Sequence, residues 1–543
     1  MDEDESGTEH SADAAIPGDA ADAGVSVEGP VSSASAEALV STDAAVSGDA
    51  ADAAASVEGP VPSVPAEAVV SVEGRVAEVS ADAAVSAGAS VSSVPAEAMV
   101  SAEETVSSSS TGAAISAVWR IESPRLIAGL ARVLGGDLGL AEDLAQDALV
   151  AALEQWPTDG VPRNPGAWLM TVARRRAVDL IRRDQTYAKK LELIGRDLET
   201  RPSSAAPGPE SVLDEPDIED DLLRLVFTAC HPVLAAPSRV ALTLKLLGGL
   251  TTPEIARAYL VPEPTIAQRI VRAKRTLAEK KVPFEVPAAE ELSDRLASVL
   301  EVIYLIFNEG YAATAGEDWT RPALCDEAVR LARVLSALMP NEPEVHGLTA
   351  LLEVQSSRLA SRTASDGAVV LLSDQDRSRW NQLFIRRGFA ALAIAENLSA
   401  AAGRPPGPYA LQAAIAASHA RAMTPEGTDW PTIARLYDAL AAQVPTPVVA
   451  LNRAVAVAMA DGPAAGLALV DELVAADALP AYHLLPAVRA DLLTRLDRHA
   501  EAHADFERAA RLAANAAERA LLEQRAKEAQ ARTTHSARKV SPR

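Results

Sequence analysis

Apolar residues return at helical spacing through three stretches of the chain. In the first, Leu140, Leu144 and Ala148 line one face of a helix, while Glu142, Asp143, Gln146 and Asp147 crowd the other. In the second, Asn164-Pro165 supplies a cap and a first-turn proline. The helix that follows turns Leu169, Val172, Ala173, Ala177 and Leu180 inward. Arg174, Arg175, Arg182 and Arg183 remain for solvent or phosphate, and Trp168 sits near the helix start. The third stretch, residues 249–281, is the most informative. Thr251 and Glu254 have capping-box spacing, and Pro253 falls in the first turn, where a missing N–H costs little. Ile255, Ala256 and Tyr259 form an apolar stripe. Leu260, Val261 and Pro262 break it, and a new helix runs from about Glu263 with Ile266, Ile270, Ala273 and Leu277 in register. Gln268, Arg269, Arg272 and Arg275 lie largely off that stripe. Helix, tight turn and a second helix charged on one side is how a helix-turn-helix offers a recognition helix to the DNA major groove. There Arg forks to guanine or grips phosphate, and Gln pairs with adenine. A basic surface helix on an ordinary bundle accounts for the charge but not for its coincidence with cap and turn.

Pro and Gly break residues 292–527 into successive helices. Residues 448–474 predict one helix pair turning at Asp461-Gly462-Pro463, and 484–512 predict another. Within the second, Ala502, Phe506 and Ala509 have the small–aromatic–small spacing of a tetratricopeptide second helix. Small residues let paired helices approach closely. A plain helical bundle fits the same pattern. Residues 1–115 contain no Phe, Trp or Tyr, and 18–41 recurs with few changes at 48–71. A repeat without large apolar residues has nothing to stack, so disorder is predicted there. The expected chain is all-α. A disordered tail spans 1–115, a helical block 116–190, and a Pro-rich linker 191–217. A second block with the helix-turn-helix spans 218–282, a tetratricopeptide-like extension 283–530, and a disordered end 531–543.

Charge changes this picture in one respect. The net charge of −25 is wrong for a DNA binder, but it is unevenly placed. Residues 1–115 hold 21 Asp and Glu against Arg75 alone, which gives −20. Residues 171–190 carry seven Lys/Arg against Asp179 and Asp184, and residues 264–281 carry six against Glu279. Local charge, not overall pI, decides binding to a polyanion. The acidic tail reads as a solvating segment, and its charge also suits competition with DNA for the basic helices. No run of eighteen apolar residues predicts a membrane span, and the acidic MDEDESG start is no secretory signal. Two cysteines, Cys230 and Cys325, suit a reducing cytoplasm. Cys230-His231 has no companion ligands at metal spacing and reads as a buried Cys beside a helix end. No phosphate loop, nucleophile elbow, zincin or dinucleotide motif appears, so neither catalysis nor a cofactor is expected.

The segment LAEDLAQDAL, then NPGAWLMTVARRRAVDLIRR, then this helix-turn-helix resembles bacterial sigma factors of the sigma-70 family. The compact spacing resembles the extracytoplasmic-function group. YLIFNEGYAA at 304–313 and the repeat-like end resemble its subgroup with a long helical C-terminal extension. The resemblance covers 118–281 with two motifs in order. It implies that Glu142, Asp143, Gln146 and Asp147 dock on the clamp helices of the RNA polymerase β′ subunit. It implies that Trp168, Arg174, Arg175, Arg182 and Arg183 bind the −10 promoter element, where one base of the non-template strand is captured unstacked. Thr265, Gln268, Arg269, Arg272 and Arg275 would read the −35 element as duplex, beside the β flap. Two weak readers on one tether gain specificity because the second contact is intramolecular. Arg175 stands where many members carry Asn beside the flipped base, so the −10 preference does not transfer. Ala267 stands where members often carry a basic residue, so readout rests more on Gln268, Arg269 and Arg272. The resemblance also implies regulation in cis by the extension, which either holds the promoter-binding domains or receives a signalling protein.

Two other functions fit parts of the chain. An ordinary activator or repressor with a helical sensor would bind duplex operator without polymerase, and the acidic clamp motif beside the second basic helix argues against it. A tetratricopeptide-type scaffold with incidental basic helices would show no salt-sensitive DNA affinity.

Overall fold

The structure, a computed structural model, describes residues 96–194, 218–314, 319–364 and 368–540. Three helices come first: α1 (Ala96–Val133), α2 (Leu138–Asp159) and α3 (Pro165–Ile194). The Asp137 side chain caps α2 by accepting from the Leu140 N–H, and Asn164 caps α3 by accepting from Ala167. Leu169, Ala173 and Ala177 are buried as expected, whereas Val172 and Leu180 are only half-buried and Ile181 completes the face. Four helices follow: α4 (Ile218–Ala229), α5 (Ala236–Leu246), α6 (Thr252–Ala258) and α7 (Glu263–Glu279).

The extension runs through α8 (Ala289–Tyr311), α9 (Pro322–Leu338), α10 (Pro343–Ser356), α11 (Gln382–Ala401) and α12 (Pro408–Arg421). It continues as α13 (Trp430–Gln443), α14 (Pro447–Asp461), α15 (Pro463–Ala475), α16 (Leu484–Arg495), α17 (His499–Leu512) and α18 (Ala516–Val540). The two anticipated helix pairs are α14–α15 and α16–α17. Gly462 makes the first turn with φ +104, a region that favours glycine. Ala502, Phe506 and Ala509 are all buried in a core shared by α14 to α18. The fold is all-α: one isolated bridge, Thr363 with Val369, is the β pairing found among the described residues. Among those residues no helix is long and apolar enough to cross a membrane.

The described helices reach past both expected boundaries. Helix α1 begins at Ala96 and buries Ile115, inside the segment expected to be disordered. Helix α18 continues to Val540, through most of the expected disordered end. The acidic repeats of 1–95 and the linker centre at 195–217 lie outside the described residues.

A continuous apolar core runs from Ile115 to Ala417 and takes in α1 to α12. The extension is therefore packed into the helix-turn-helix unit, not merely attached to it. Ser298 of α8 donates to the Cys230 carbonyl at 2.6 Å, and Arg295 donates to the Phe227 carbonyl at 3.0 Å. Arg239 of α5 pairs with Glu301 at 3.1 Å. On the other side, α1 lies against α4 and α5, with Arg132 bonded to buried Asp221 at 2.9 Å. Gly249 permits the approach of α1 to the loop before α6. It has φ +64, and a β-carbon there would sit 3.0 Å from Ser123 Oγ and 3.3 Å from the Arg120 α-carbon.

Candidate nucleic-acid interface

Helix α6 is short and depends on its ends. The Thr251 hydroxyl accepts from the Glu254 N–H at 3.3 Å, and the Glu254 carboxylate accepts from the Thr251 N–H at 2.8 Å. This is the capping box that the sequence predicts. Arg120 of α1 reaches the same carboxylate at 3.2 Å. Burial opposes ionisation of Glu254, but the Thr251 N–H and hydroxyl and Arg120 outweigh it and hold the carboxyl below its usual range. The turn that follows holds Leu260 at φ +49 with its side chain 56% exposed.

Helix α7 divides cleanly. Ile266, Ile270, Ala273 and Leu277 are buried against the unit. Gln268, Arg272 and Arg275 are exposed, and Thr265 and Arg269 are half-buried. Arg275 bonds Glu279 one turn away at 2.6 Å, but both are solvent-exposed and such pairs contribute only about 0.3–0.5 kcal/mol. Val271, 63% exposed, shares the cationic face. Its i+3 spacing from Gln268 is the sequence signal that places it there.

On α3, Arg175, Arg182 and Arg183 are exposed and Arg174 is half-buried. Trp168 is half-buried, its ring edge-on to Trp156 at 5.3 Å. Part of its surface is thus committed to the core.

The acidic helix is where expectation and structure part. Asp143, Gln146 and Asp147 are exposed, with Asp147 paired to Arg176 of α3 at 3.0 Å. Glu142 is not on that exposed face. It is 5% exposed and reaches into the helix-turn-helix unit. Lys245 of α5 lies 3.3 Å from one carboxylate oxygen, and Lys274 of α7 pairs with the other. Gln146 also donates to Glu142 at 2.9 Å. The reason lies in the helix period. Leu138, Ala141, Ala145, Ala148 and Ala152 are buried, and Glu142 falls on the flank of that stripe. Lys245, Lys274 and Arg176 went unnoticed in the sequence because their partners are distant along the chain.

Cys230 and Cys325 are free and buried. Burial pushes the Cys230 thiol up to about 11, and its Sγ lies 3.3 Å from the Thr243 hydroxyl.

Residues 122–186 match the sigma-70 region 2 family and residues 224–277 match sigma-70 region 4. Residues 295–396 match a family of unknown function (DUF6596). An uncharacterized protein of Rhizobium meliloti (strain 1021) is 45% identical over 401 residues, covering 74% of this chain and 92% of that protein. A match of that length takes in much of the extension. The ECF RNA polymerase sigma factor SigK of Mycobacterium ulcerans (strain Agy99) is 33% identical over 157 residues, 28% of this chain and 78% of that protein. SigK of Mycobacterium tuberculosis (strain ATCC 25618 / H37Rv) is 32% identical over 156 residues, 28% of this chain and 77% of its own. No solved structure matches.

Proposed function

Because the chain belongs to the extracytoplasmic-function sigma factors of RNA polymerase, we propose that each of its basic helices grips one promoter element and that the extension governs when both can do so. Arg174, Arg175, Arg182 and Arg183 of α3, with the free edge of Trp168, engage the −10 element. Thr265, Gln268, Arg269, Arg272 and Arg275 of α7 read the −35 element beside the β flap. Asp143, Gln146 and Asp147 of α2 face the β′ clamp helices. The polymerase, which works in the cytoplasm, supplies the chemistry. The observation that carries this reading is α7: its apolar side is buried while Gln268, Arg272 and Arg275 stay in solvent.

The form described here is closed. The −10 and −35 elements lie about 25 base pairs apart, which is about 85 Å at 3.4 Å per pair. A helical unit of this size is only about 30 Å across, and these two units touch through Arg132–Asp221 and Arg120–Glu254. Both elements are reached only after the units separate. A signalling protein on the extension is the expected trigger. Run-off transcription from genomic DNA, with core RNA polymerase and the full chain, tests the reading. New transcripts that core alone does not make are expected, and their absence under every activating condition would refute a sigma function.

A further inference from the structure

We propose that Val271 reads a thymine methyl group in the −35 element. This rests on α7 being the −35 reader and names one of its specificity contacts. Gln268, Val271, Arg272 and Arg275 occupy one face at i, i+3, i+4 and i+7. Val271 is 63% exposed, so it contributes nothing to the core. A β-branched residue at an exposed helix position is also a poorer helix former than Ala, Gln or Arg. Neither packing nor propensity explains it. In the major groove the thymine methyl is the one apolar group on a base edge, and an aliphatic side chain beside Arg and Gln complements it.

The test uses the promoter found by run-off transcription. Each thymine of its −35 element is replaced singly by deoxyuridine, which removes only the methyl. One replacement should weaken binding of the full chain with core polymerase by about fourfold, the effect of one buried methyl. The same replacement should leave Val271→Ala unaffected. If no thymine methyl matters, or if the loss is equal in Val271→Ala, the assignment is wrong. If Arg272→Ala binds promoter and scrambled duplex as the unmodified chain does, α7 is not the reader, and that failure is separate.

A second inference stands on the ion pairs of α2. We infer that Glu142 is contested: the two lysines that hold it in the closed form withhold it from polymerase. Glu142 sits on the same helix as exposed Asp143, Gln146 and Asp147, yet both of its oxygens are taken by Lys245 and Lys274. Both lysines belong to the helix-turn-helix unit, with side chains about one-fifth exposed. Removing Glu142 would leave two partly buried like charges facing each other, so this carboxylate favours the closed form. Polymerase docking and closure then exclude one another.

Carbodiimide joins a carboxylate to an amine only where they touch. In the free full-length chain it should join Glu142 to Lys245 or Lys274, and saturating core polymerase should abolish that product. Lys245→Gln/Lys274→Gln should bind core about tenfold more tightly, within the usual range for coupled sites. Glu142→Gln should bind more weakly than the double variant, because it loses the docking contact as well. A cross-link that persists in the polymerase complex overturns the proposal, as does a double variant with unchanged affinity. Failure of the unmodified chain to bind core at all would instead count against the sigma reading.

Discussion

His231 shows what a single side chain does beneath the helix-turn-helix. Its Nδ1 accepts the Val233 N–H at 3.0 Å, which requires that nitrogen to be unprotonated. Burial, and then the Arg295 cation, pull the ring down from 6.5 to about 4. The sign follows from linkage. Between those values the unfolded chain binds a proton that the folded chain refuses, so this contribution is complete above pH 6.5 and lost as pH falls toward 4. One proton sets a ceiling of about 1.4 kcal/mol per pH unit, and the partly solvated ring will deliver less. Urea midpoints measured from pH 7 to pH 4 should fall less steeply for His231→Gln, whose amide also accepts from Val233. Equal slopes would exclude His231 as the titrating group. The Cys230-His231 pair thus works as sequence suggested for Cys230, a buried thiol at a helix end. The role of His231 was hidden, because Arg295 is remote in sequence.

At the scale of elements, legibility tracked how local the cause was. The Thr251–Glu254 cap, the Asn164 cap and the buried stripe of α7 were all readable, because each is fixed by residues within two turns. Glu142 was misplaced because period alone does not say whether a flanking carboxylate meets solvent or a lysine more than a hundred positions away. The early start of α1 and the late end of α18 carry no two-faced apolar pattern that would mark a helix in the sequence. For α7 itself, Arg272→Ala should cost about 1–3 kcal/mol of promoter binding if its guanidinium meets a base. Titration against promoter and scrambled duplex distinguishes the roles, since an equal loss on both marks a phosphate contact.

Across the whole molecule, region 4 is held from two sides by one core. The region 4 helices share their core with α8 and α9 and are bonded to α8 through Ser298, Arg295 and Arg239. Region 2 shares that core too, with α1 against α4 and α5, and adds the Gly249 approach and several ion pairs, some partly solvated. Nothing in the amino-acid pattern announced this, because the boundary at 283–292 reads as a break while the packing runs through it. Truncation at that boundary strips the cover from Phe227 and Cys230, so a shortened chain reports damaged packing as much as released inhibition.

The stitching of α8 onto the carbonyls of Phe227 and Cys230 has one more outcome. If the proposed opening parts the seam beside α1, these bonds keep the extension with α7. A protein bound to the extension would then move with α7 and not with region 2.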